Sequence, residues 1–121
     1  MTRTDSKLAT VVNVRGSTPF DVYIGRVESY WGNPFVVGKR GKWGARNTEE
    51  CLEKFEAWMR EMLDVKYPWM VRELLKLRGK RLGCWCAPQP CHGDVLVKLI
   101  EEYAERFEGR ELPERPKETN D

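Results

Sequence analysis

Cys84, Cys86, Cys91, His92 and Asp94 lie close together in a chain of 121 residues that has four cysteines and a single histidine. Three chemistries suit such a group. A catalytic pocket would use His92 or Asp94 for proton transfer, with Cys91 as the backup nucleophile, while Asp94 could also orient the ring or cap a helix. A zinc site would take Cys84, Cys86, Cys91 and His92, four soft ligands in the spacing C-x-C-x4-C-H. Adjacent residues such as Cys91 and His92 point apart, and the usual two-residue knuckle is missing, so zinc is the alternative and the first expectation is no cofactor. The third is purely structural: Cys84 and Cys86 are small buried strand residues, and His92 and Asp94 brace a helix start.

Other residues suit an anionic, planar ligand. Arg15 and Arg26 each follow a β-rich run, where two cations at strand exits suit a phosphate. Trp31 and Asn33, in the segment YWGNPF, offer an indole and an amide to a flat polar group, or pin a loop onto a core. Lys39 is the first cation of the stretch GKRGKWGAR at 38–46, which has no acid. Lys39, Arg40, Lys42, Trp43 and Arg46 also suit nucleic acid, with cations for phosphates and an aromatic for stacking. The P-loop pattern and the dinucleotide glycine fingerprint are both absent.

The elements that must position these residues follow from periodicity. Val11, Val12 and Val14 mark a first strand over 9–15, and DVYIGR a second over 21–26. Val36 and Val37 form a short third, followed by a glycine-rich basic loop. Asn47 caps a helix, with Glu50 three residues on, and Leu52, Phe55, Met59, Met62 and Leu63 make its apolar stripe. Pro68 opens a second helix, through Leu74 to a stop at Gly79. Leu82, Cys84 and Cys86 alternate as a strand. Two prolines interrupt it, and Val95, Leu96, Leu99, Ile100, Tyr103 and Phe107 recur at helical spacing up to Gly109. The order β-β-β-α-α-β-α is that of an α/β protein, a small three-layer Rossmann-like domain with a short central sheet. Residues 1–109 form that single domain and 110–121 a flexible charged tail. In an open sheet of this kind Arg26, Trp31 and Asn33 would share a crevice with His92 or Asp94.

The bulk composition narrows the rest. A formal charge of +2 makes no global demand for nucleic acid. No apolar run is long enough to span a bilayer and the amino terminus lacks a signal-peptide pattern, so no membrane partner is expected. Reduced thiols in a cytoplasm are expected instead. Oligomeric state is left open by the sequence.

YIGR at Tyr23–Arg26, WGNPF at Trp31–Phe35 and GCWCAPQPCHGDVL at Gly83–Leu96 together resemble the family called domain of unknown function 4326, found in prokaryotes and their phages. The resemblance covers most of residues 11–104. It implies that Arg26, Trp31, Asn33, Pro34, Cys84, Cys86, Cys91, His92 and Asp94 are signature positions. The Cys-His helix start is also similar to that of domain of unknown function 488, where arginine usually follows the histidine. Gly93 stands there in this chain. The function expected from all these residues is binding of a nucleotide-like or phosphorylated planar compound, with transferase or hydrolase action open to it. The alternatives are a non-catalytic nucleic-acid module and a zinc-stabilised structural domain.

Overall fold

The computed structural model of the protein describes residues 9–25, 31–85 and 90–114. Its elements are β1 (Thr10–Asn13), β2 (Val22–Tyr23), β3 (Val36–Val37), β4 (Gly44–Ala45), α1 (Thr48–Glu61), α2 (Met70–Leu75), β5 (Arg81–Cys84) and α3 (His92–Arg106). β1, β5 and β2 form a parallel sheet with β5 in the middle. β3 and β4 form a separate parallel pair. The mixed helix-and-strand class read from periodicity is the class observed.

Local chemistry explains each boundary. Asn47 Oδ1 accepts the Glu50 N–H at 2.8 Å and starts α1. The reciprocal half of the expected capping box is displaced by one residue: Glu50 Oε1 accepts from the Arg46 N–H at 2.6 Å. α1 ends in a π-type turn, Met62–Lys66, closed by the Tyr67 N–H on the Met62 carbonyl. Gly79 and Gly109, both at positive φ, follow α2 and α3. β4 falls inside the stretch read as a basic loop. A parallel pair joined by so short a connection needs sharp reversals, and Gly38 and Gly41, at φ 89° and 90°, provide them.

The sheet has two unlike faces. Val11, Leu82 and Val22 are register neighbours and share one face. Gly93, in the first turn of α3, lies against that face: an added Cβ would stand 2.9 Å from Ile24 Cδ1 and from a Val11 methyl. An arginine at position 93 would meet the same obstruction. The other face carries Gly83, and there the Phe20 ring comes within 2.6 Å of where a Cβ would be. The segment between β1 and β2 thus crosses β5 on the side away from α3.

The main core lies between α1, α2, α3 and the first face. It includes Phe55, Met59, Leu63, Val71, Leu74, Leu82, Leu96, Leu99, Ile100 and Tyr103. Residues after α3 turn back along α2, where Arg72 Nη2 donates to the Leu112 carbonyl at 2.9 Å. No helix among the described residues is long and apolar enough to cross a membrane.

A polar clamp joins α1 to α3. Arg60 donates to Glu102 at 2.7 Å and to Glu56 at 2.9 Å, Lys98 reaches Glu56 at 3.1 Å, and Arg106 reaches Glu102 at 3.0 Å. The hydrogen bond from Arg60 holds the Glu102 carboxyl down to about 2. A depressed carboxylate contributes stability above its unfolded value, and the contribution disappears as pH falls through the folded one. Glu102→Gln should therefore cost ~0.2–1 kcal/mol at neutral pH, since these side chains are partly exposed and screened. The deficit should shrink as pH falls from 4.5 toward 2 in urea denaturation series. A deficit that stays constant across that window would show the charge pair is not its source.

Candidate functional site

The carboxyl ends of β1, β5 and β2 and the amino end of α3 meet at one edge of the sheet. Cys91 is the N-cap of α3, with extended backbone at φ −149°. Its Sγ accepts the Gly93 N–H at 3.3 Å. The Asp94 carboxylate returns to accept the Cys91 N–H at 3.0 Å. Asp94 thus closes a capping box and is otherwise exposed. Capping, one of the roles expected for it, is the hydrogen bond it makes here.

His92 points inward. It is only 7% exposed, and its ring meets Phe55 edge-on at 5.3 Å. Nε2 is hydrogen-bonded to the Ile24 carbonyl. A carbonyl can only accept, so Nε2 carries a proton. Cys91 Sγ lies 3.7 Å from Nδ1 and 2.8 Å from Cys84 Sγ. Cys84 and Cys91 are buried and not joined in a disulfide. The sheet edge therefore brings together Cys84, Cys91 and His92. Cys86 and Arg26 lie outside the described residues. Among the described residues no group of three or more His, Cys, Asp or Glu is placed to hold a metal ion.

Trp31 and Asn33 belong to the core, at 4% and 5% exposure. Asn33 Oδ1 accepts the Phe35 N–H at 2.8 Å, and its Nδ2 donates to Cys51 Sγ at 3.4 Å. Cys51 in turn donates to the Phe35 carbonyl at 3.4 Å. This locks the WGNPF segment to α1, the loop-pinning role open to Asn33 from the start. Phe35, Trp58, Phe55 and His92 then form a chain of ring contacts at 6.3, 6.1 and 5.3 Å. The WGNPF and Cys-His motifs are thus connected through α1 by packed aromatics.

Three aromatic residues that pattern reading passed over, Phe20, Tyr23 and Trp85, form a strip beside the sheet edge. Trp85 follows Cys84 and is 53% exposed. Its Nε1–H donates to the Tyr23 hydroxyl at 2.9 Å, and the Asn13 amide donates to its carbonyl at 3.2 Å. The Arg15 guanidinium carbon is 4.9 Å from its ring centroid. Phe20, 6.3 Å from Tyr23 between centroids, extends this aromatic strip over Gly83. The available signal was alternation: if Cys84 faces the core, Trp85 faces out. Lys39 lies elsewhere, lining a cavity of about 300 Å³ with Gly38, Gly41, Gly44, Ala45, Arg46 and Lys54.

Fold and site together define a small parallel α/β domain with a Cys-His pair at a helix start beside the sheet's carboxyl edge. The family model for Domain of unknown function (DUF4326) matches residues 12–102, and the chain belongs to that family. It is also 35% identical over 108 residues to the "Uncharacterized 12.4 kDa protein in nrdA-td intergenic region" of Enterobacteria phage T4, covering 88% of this chain and 91% of the relative. No solved structure matches.

The bracing role of His92 has a measurable consequence. His92→Ala strips the Ile24 carbonyl of a buried partner and leaves a void beside Phe55, at an expected cost of ~2–4 kcal/mol. Asp94→Ala removes only the cap and should cost ~0.5–2 kcal/mol. Chemical denaturation of both variants compares them. Parental stability in His92→Ala would rule out the brace.

Proposed function

We propose that this protein binds a planar anionic ligand of the nucleotide class at the carboxyl edge of β1, β5 and β2. The observation that carries this reading is the half-exposed Trp85, fixed by the Tyr23 hydroxyl, with the Arg15 guanidinium at its ring. An exposed indole gives a base a stacking surface, and the adjacent cation suits its phosphate. Ligand crevices in Rossmann-like sheets lie at strand carboxyl ends, which supports the same location. A transferase or hydrolase step would draw on His92 Nδ1 as proton acceptor and on Cys91. Isothermal titration with a panel of nucleoside monophosphates and triphosphates tests the reading. Trp85→Ala should weaken binding about 5- to 150-fold, as loss of ~1–3 kcal/mol of stacking requires. Arg15→Ala should weaken phosphorylated ligands more than the matching nucleosides. No binding by the parent, or equal binding by Trp85→Ala, would end the proposal.

A second reading rests on a separate observation, the cavity formed by glycine backbone with Lys39, Arg46 and Lys54. Lys54 donates to the Gly44 carbonyl at 2.7 Å, and Glu50 pairs with Arg46 at 3.1 Å, so part of the positive charge is already engaged. Lys42 lies 5.0 Å from the Trp43 ring centroid. In this reading Lys39, Arg40 and Lys42 contact the phosphates of single-stranded nucleic acid. Oligonucleotide binding should then weaken as salt rises, and a Lys39→Ala, Arg40→Ala double variant should flatten that dependence. Absence of binding at low salt excludes it.

A further inference from the structure

We infer that Cys84 and Cys91 form a redox-active dithiol, closing to an intramolecular disulfide when a low-molecular-weight disulfide such as oxidised glutathione is supplied. Their sulfurs stand 2.8 Å apart, one at the end of β5 and the other at the N-cap of α3. Neither is a lone cysteine in a core. Among the described residues each is the other's nearest thiol, and the backbone on both sides is held in register, by strand pairing for Cys84 and by the capping box for Cys91. Cysteines held sulfur to sulfur in this way need little backbone movement to bond.

The two thiols have different roles. Cys91 Sγ accepts the Gly93 N–H and sits at the amino end of a helix of 15 residues, an environment that favours a thiolate. His92 Nδ1 lies 3.7 Å from that sulfur and, in the neutral ring, can take its proton. Cys84 has neither feature. Cys91 is thus the attacking thiol and Cys84 the resolving one.

The exchange balances as follows. The Cys91 thiolate attacks one sulfur of the small disulfide; the S–S bond breaks and one thiolate leaves, taking up the proton held by His92. The Cys84 sulfur then attacks Cys91 in the mixed disulfide, forming the Cys84–Cys91 bond and expelling the second small thiolate with the Cys84 proton. The protein loses two electrons and two protons, and the small disulfide gains them as two thiols. Two buried sulfurs restrict attack to a slim oxidant or to a locally opened state, so the reaction is expected to be slow relative to that of an exposed thiol.

The experiment uses the full chain, reduced and then equilibrated with graded ratios of reduced to oxidised glutathione. Intact mass and peptide mapping are the readouts. The parent should lose the two thiol hydrogens without keeping an adduct, and the map should show Cys84 linked to Cys91. Cys86→Ser should behave as the parent does. Cys84→Ser should stop at the mixed disulfide, with one glutathione retained on Cys91. A linkage through Cys86 or Cys51, or no internal linkage in Cys86→Ser even in the most oxidising buffer, overturns the inference. Because Cys86→Ser leaves both reacting sulfurs and the cap intact, the test stands even if the Cys84 or Cys91 variants fail to fold.

Discussion

The seating of the amino end of α3 on the sheet is the constraint that the rest of the structure serves. Gly93 has no side chain, so the helix start can press against Val11 and Ile24. At that separation His92 reaches the Ile24 carbonyl, and Cys91 meets Cys84. The contact couples three sheet elements to one helix through a buried hydrogen bond, a pair of sulfurs and a capping box. A side chain at position 93 would lift the helix and weaken all three together.

α1 carries this constraint outward. Phe55 packs on His92 from one side, while Cys51, one turn earlier, takes the Asn33 amide. Two motifs far apart in the chain therefore rest on the same face of one helix. The clamp of Arg60, Glu56, Lys98, Glu102 and Arg106 holds that helix to α3 at its more exposed border. Apolar contact and aromatic edges dominate inside, and charge pairing works at the rim, where water weakens it. The two unlike faces of the sheet follow from the same arrangement. One is consumed by α3, and the other is left to Phe20, Tyr23 and Trp85, with Arg15 at their edge.

The motif residues of this chain thus divide by physical role. Trp31, Asn33 and His92 are buried and hold segments together. Asp94 is exposed yet structural, since its carboxylate completes the helix cap. The exposed Trp85 sits between two cysteines and takes the position at which a strand-end side chain faces solvent. Polar residue type alone therefore misleads about which side chains face solvent.

Sequence by itself determined the order of the elements other than β4, because apolar spacing and breaker residues are local properties. The valines of β1, the stripe from Leu52 to Leu63, the stop at Gly79 and the repeat from Val95 to Phe107 all act within a few residues. Asn47 as a cap and the strand-loop-helix placement of Cys91 were legible for the same reason. β4 was not, since a two-residue strand in a glycine-rich stretch exists only by pairing with β3. Tertiary structure alone decided which side chains met. The proton on His92 Nε2 is assigned by a carbonyl 68 residues away in sequence, and Cys84 opposes Cys91 only because a helix closes onto its strand. Trp31 and Trp85 are equivalent in composition. Their opposite exposures arise from packing between segments distant in the chain, which no local pattern encodes.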